Sequence, residues 1–87
     1  MKVSPVLTLV TTPDCHLCEH ARRVLEKLMA EFQFDVVEID WESARGQDLV
    51  VRDAVLFPPA LFFKGRLVAF GRLSEGQVRR NLAAVAV

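Results

Sequence analysis

The 87-residue sequence carries no block of like charge: 11 lysines and arginines stand against 11 aspartates and glutamates. That excludes the basic stripe on which binding to nucleic acid or to an anionic membrane depends. Long apolar runs are missing as well. The longest early one, Val6 to Val10, is interrupted by Thr8 and preceded by Pro5, too short for the core of a signal peptide or for a membrane span. A cytoplasmic protein is therefore expected, acting as a monomer, with no nucleic-acid and no membrane partner. There is no repeat, low-complexity stretch or linker, so residues 1–87 read as one domain. Cysteine is scarce, with two in the whole chain. A disulfide framework is not needed, because 52% hydrophobic residues let a domain of this size build its own core.

What is present is an alternation of strand and helix patterns. "VLTLVT", Val6 to Thr11, is short, β-branched and bounded by prolines, as a buried strand is. After the cysteines, Leu17, Ala21, Val24, Leu25, Leu28, Met29 and Phe32 recur at helical spacing with charged residues between them, which predicts an amphipathic helix. "FDVVEID", Phe34 to Asp40, reads as a second strand, and Ser43 to Ala54 as a second helix interrupted by Gly46. "ALFF" and "RLVAF" flank Lys64-Gly65 and predict an antiparallel hairpin. Ser74 is the candidate N-cap of a last helix, with Gln77 as its capping-box partner ahead of Val78, Leu82 and Val85. The order β-α-β-α-β-β-α predicts an α/β fold. Its first two strands are parallel through a crossover, the hairpin adds antiparallel strands, and helices cover both faces of a four-stranded mixed sheet.

The two cysteines sit in "DCHLC" as Cys15 and Cys18. A structural staple is one reading, but closing so short a loop contributes only about 2 kcal/mol, against about 3 for a loop of fifteen. A metal site is another, since Cys15, His16, Cys18 and His20 crowd together. A tetrahedral site draws on separated ligand pairs, and no second pair exists; a metal shared between two chains stays open. Glu19 stands where haem attachment needs a histidine. The third reading is thiol–disulfide exchange. Cys15 follows a strand and opens a helix, where unpaired N–H groups and the dipole favour a thiolate, and Cys18 lies one turn further in, shielded and within reach of a mixed disulfide.

A strand, then "TTPDCHLC", then an amphipathic helix resembles the redox centre of the thioredoxin superfamily, and "TTPDCHLCEHAR" is most similar to its small glutaredoxin-like members. "PPALFFKGRLVAFG" resembles the family's cis-proline segment, and "GRLSEGQVRRNL" its glycine-plus-capped-helix ending. The resemblance implies a thioredoxin-like fold and an oxidoreductase with Cys15 as nucleophile and Cys18 as resolving thiol. It needs no bound cofactor or metal, and its partners would be a protein or small-molecule disulfide and a thiol reductant. It also implies a cis peptide before Pro59, or less well before Pro58, shaping a substrate groove beside Cys15, with His16, Leu17, Gly71 and Arg72 around it. The alternative is a non-catalytic module of the same fold that carries a metal or iron–sulfur cluster between chains.

This sequence departs from the family pattern in four places. His16-Leu17 replaces the usual Gly-Pro or Pro-Tyr between the cysteines. Leu7 and Leu9 leave the first strand without the buried aspartate of thioredoxins. Gly71 is followed by Arg72, Leu73 and Ser74 rather than by the Gly-Gly-x-Asp stretch that holds glutathione. Pro58 has no N–H to offer a substrate backbone. Of the remaining residues, Glu19 and His20 read as decoration of a solvated face, Trp41 as core or rim packing, and Arg22, Arg23, Arg79 and Arg80 as surface charge. His16 and Arg72 lie near enough to the cysteines or the groove to act on a thiolate or a substrate carboxylate, respectively.

Overall fold

The protein was analysed as a computed structural model that describes residues 4–85. Its elements run β1 (Val6–Thr11), α1 (His16–Leu28), β2 (Asp35–Asp40), α2 (Ala44–Arg52), β3 (Ala60–Phe63), β4 (Arg66–Phe70) and α3 (Glu75–Val85). The sheet order is β2-β1-β3-β4, with β1 parallel to β2 and antiparallel to β3, and with β3 antiparallel to β4. The predicted order and mixed sheet are therefore present.

Side-chain alternation along the central strands sorts the core into two layers. Leu7, Leu9 and Leu61 face α1 and α3 and pack with Ala21, Leu25, Leu28, Val78 and Leu82. Val10, Ala60 and Phe62 point the other way, against Leu49, Val50 and Val55 of α2 and the loop after it. The edge strand β2 is largely exposed, but Val36 joins the first layer and Ile39 the second. Among the described residues no helix is long and apolar enough to cross a membrane.

Local chemistry sets the boundaries, and four differ from expectation, the smallest difference being that β2 starts at Asp35 rather than Phe34. α1 stops at Leu28 rather than running to Phe32. The chain tightens there, with Ala30 N–H donating to Lys27 O and Glu31 N–H to Leu28 O, and Phe32 still reaches the core from the turn. α2 is shorter at both ends. The Ser43 hydroxyl caps it by accepting the Gly46 N–H at 3.0 Å, and Ala54, at φ 53°, ends it. Gly46 does not interrupt this helix: a Cβ there would overlap the Asp40 carbonyl oxygen and lie 3.1 Å from that of Trp41, so only glycine lets α2 start so close to the end of β2.

The hairpin turns through Lys64 (φ 52°) and Gly65 (φ 76°), the paired positive values of a type I′ turn. At the last helix the Ser74 hydroxyl accepts the Gln77 N–H at 3.3 Å. The side chain of Val85 lies outside the described residues.

Candidate active site

Cys15 caps α1. Its backbone is extended (φ −120°, ψ 110°), and its Sγ accepts the Cys18 N–H at 3.1 Å, the position a serine or aspartate oxygen takes at an ordinary N-cap. Asp14, just before it, holds φ 54°, a left-handed conformation that aspartate tolerates, and so turns the chain from β1 into the helix. The Cys15 sulfur is half-buried, and both cysteines are free thiols.

Cys18 is different in kind. One turn into α1, its side chain is fully buried, and that desolvation, reinforced by the hydrogen bond with Cys15, pushes its thiol up to about 11. A backbone hydrogen bond at Thr12 acts in the opposite sense. The helix start thus presents one accessible sulfur with a backbone donor already in place, and behind it one shielded sulfur that stays protonated at neutral pH.

A cis peptide and a hydrogen bond bring two of the other expected residues, Pro59 and Gly71, together. The Pro58–Pro59 peptide is cis, so Pro59 is the cis residue of the pair. In the β1–β3 ladder Val10 faces Ala60, so Pro59 directly precedes the last paired residue of β3, at the end of β1 from which the loop to Cys15 departs. Gly71 N–H donates to Pro59 O at 2.7 Å, which fixes the Gly71–Leu73 segment against the proline. His20 Nε2–H donates to Leu73 O at 3.0 Å and ties α1 to that segment. His20 therefore does not decorate a solvated face, the expectation from the sequence; it joins α1 to the loop before α3.

His16 is fully exposed and turns its Nδ1 towards Glu19, 3.7 Å away. Leu17 is half-buried, and Arg72 is exposed. Arg22 and Arg79 are more than free surface charge. Arg22 Nε donates to Glu38 Oε1 at 2.6 Å, while Arg79 bridges Glu31 and Glu75 at 2.9 Å each. Trp41 packs at the rim of the second core layer.

Sequence reasoning missed an aromatic pair at the rim of this site. Phe57 and Phe70 meet edge-on, with centroids 5.5 Å apart, and a Cβ on Gly71 would lie 2.9 Å from Cε2 of Phe57. The signal was available: each phenylalanine is next in sequence to a residue expected in the groove, Phe57 to Pro58 and Phe70 to Gly71. Among the described residues no three His, Cys, Asp or Glu side chains converge as a metal-ligand set.

Comparison with known proteins gives one family and one fold. The family model described as glutaredoxin-like domain (DUF836) matches residues 6–83. Solved structures that resemble this chain include a variant thioredoxin from Halobacterium salinarum NRC-1, which is 23% identical over 94% of this chain and 74% of that one, with a TM-score of 0.69. Another is thioredoxin 1 from the thermophilic eubacterium Thermosipho africanus TCF52B, 15% identical over 92% of this chain and 97% of that one, with a TM-score of 0.58. The architecture is thus thioredoxin-like. None of the curated proteins matches this chain.

Proposed function

This chain belongs to the glutaredoxin-like domain family, and from that premise we propose that it is a thiol–disulfide oxidoreductase with Cys15 as nucleophile and Cys18 as resolving thiol. The observation that carries the reading is the unequal placement of the two sulfurs: one half-buried at a helix cap with the Cys18 N–H aimed at it, the other fully buried one turn on. The Cys15 thiolate attacks one sulfur of a substrate disulfide. The substrate S–S bond breaks, the departing thiolate takes up a proton, and a mixed disulfide remains on Cys15.

In that mixed disulfide Cys15 has lost its charge and its role as partner to the Cys18 thiol, two of the influences that hold Cys18 protonated. Cys18 then gives up its proton and attacks Cys15 Sγ. The second substrate thiolate leaves and is protonated, and the internal Cys15–Cys18 bond forms. Two electrons have passed to the substrate, and a thiol reductant restores the dithiol. The chemistry uses no bound cofactor.

The groove supports a protein disulfide better than glutathione. Pro58 offers a substrate backbone an acceptor and no donor. Exposed Leu56, Phe57 and Phe70 supply apolar surface beside it, with Gly71 beneath Phe57 and Arg72 free to meet a carboxylate. The reading places the protein in the cytoplasm as a monomer. Trapping tests it. Cys18→Ser should accumulate a stable mixed disulfide through Cys15 with a protein substrate, and Cys15→Ser almost none; equal trapping, or trapping through Cys18 alone, would sink the assignment.

A further inference from the structure

Residues four apart on a helix share a face, so Arg22 lies one turn along α1 from Cys18 on the same side. On the face of β1 that packs against α1 the strand presents Leu7, Leu9 and Thr11, all buried and none a carboxylate, so β1 supplies no acid–base group to take the Cys18 proton. Charge reaches this region from two elements. α1 supplies Arg22; β2 supplies Glu38, whose side chain shares the face of Val36, the face on which α1 packs. Arg22 Nε donates to Glu38 Oε1 at 2.6 Å, with the two side chains 45% and 40% exposed. The pair lines a 320 Å³ pocket with Thr11, Thr12, Pro13 and Asp40, at the loop whose Thr12 backbone bonds Cys18.

Resting on the oxidoreductase reading, we propose that Arg22 is a positioning residue for the resolving step: its charge supports the Cys18 thiolate as it attacks Cys15 Sγ, and Glu38 restrains how much of that charge Cys18 receives. The groups that act on Cys18 are the Cys15 sulfur at the helix cap, the Thr12 backbone in the loop, and Arg22, with Glu38 and Asp40 of β2 lining the same pocket. The Arg22 charge favours the thiolate there, opposing burial. The step is the resolution of the mixed disulfide by Cys18. The proton leaves Cys18, the Cys15–substrate bond breaks as the Cys15–Cys18 bond forms, and the proton ends on the departing substrate thiolate directly or through solvent in the pocket.

The experiment uses the full chain and a chromogenic aryl disulfide, which releases one coloured thiolate when Cys15 attacks and a second when Cys18 resolves. The first phase is an internal control for folding and for the nucleophile. Arg22→Ala should slow the second phase about threefold, Glu38→Gln should speed it about twofold, and Arg22→Lys should stay near the parent, as expected for a partly screened charge.

The same order should appear in the thiolate absorbance of Cys18 in a Cys15→Ser background at one alkaline pH at which circular dichroism shows the fold intact. A merely structural ion pair predicts otherwise, because both Arg22→Ala and Glu38→Gln break it and would move the second phase in one direction. Shifts of the same sign, no shift, or a shift in absorbance with unchanged resolution, each with the first phase intact, would overturn the role of Arg22 and leave the oxidoreductase reading standing. If Arg22→Ala does not fold, the direction of the Glu38→Gln change decides alone. No first phase in the parent would overturn the oxidoreductase reading and this role with it.

Discussion

Above about pH 8.5 the reduced protein should lose stability through one buried thiol. Cys18 is fully buried and its thiol is pushed up to about 11, chiefly by desolvation, whereas a cysteine in an unfolded chain ionises near 8.5. Because the folded value lies above the unfolded one, this thiol favours the fold fully at pH below about 8.5. Between the two values only the unfolded chain releases the proton, and stability falls by about 1.4 kcal/mol per pH unit.

From pH 8 to pH 10.5 that amounts to about 2 kcal/mol. The assay is urea unfolding under a non-thiol reductant at both pH values, followed through the lone Trp41, which is half-buried at the rim of the second core layer. Cys18→Ala is the reference. It keeps every other titrating group, and the absence of tyrosine leaves lysines as the main common background. Parent and variant should diverge as pH rises, the parent losing about 2 kcal/mol more. Parallel profiles would refute the placement of Cys18 and, with it, the division of labour between the two sulfurs.

Gly71→Ala forces a side chain into φ 74° and sets a Cβ 2.9 Å from Phe57 Cε2; a left-handed alanine alone costs about 1–2 kcal/mol, so chemical unfolding should show at least that loss, together with slower exchange as the rim rearranges. Glu31 and Glu75 are held below their ordinary values, in each case first by the hydrogen bond from Arg79, so they favour the fold above the unfolded carboxylate value and lose that contribution as pH falls through the folded one. Arg79→Ala should therefore reduce the drop in urea midpoint between pH 6 and pH 3, and the effect should shrink in high salt because the groups are exposed. Glutathione mixed disulfides should be reduced poorly relative to insulin, since Pro58 has no N–H to donate, Leu73 is buried in the core and the Ser74 hydroxyl caps α3; a strong preference for the glutathionylated substrate would show that other residues form the cradle.

The strands, the hairpin and the dithiol helix were legible because each is written in local chemistry: period-two and period-three-or-four apolar patterns, a Lys-Gly turn, cysteines at a helix start. The errors have a common cause, which is that they depend on elements distant in sequence. Gly46 looks like a helix breaker until the Asp40 carbonyl is found where its side chain would be. His20 looks solvated until Leu73, fifty-three residues away, is brought beneath it. Arg22 looks like surface charge until β2 crosses under α1 with Glu38 on the facing side. A trace of the last was present, since Val36 and Glu38 must share a face of the strand, but which face α1 covers is a property of the sheet order.

The asymmetry of the two thiols follows from helix geometry rather than from any specialised residue nearby. An N-cap residue must be extended so that its side chain folds back over the first free N–H groups; Cys15 does this, and its sulfur is consequently at the surface and facing a donor. Three residues later the chain is already helical, and the apolar stripe of α1 carries that position into the core with Ala21, Leu25 and Leu28. Between them His16 points to solvent and Leu17 is half-buried. The two intervening residues therefore vary the rim of the site without touching the difference between the sulfurs. On the proposed reading, His16-Leu17 in place of a more usual pair therefore leaves the exchange chemistry intact, while Pro58, which removes a backbone donor, would change what the proposed groove binds.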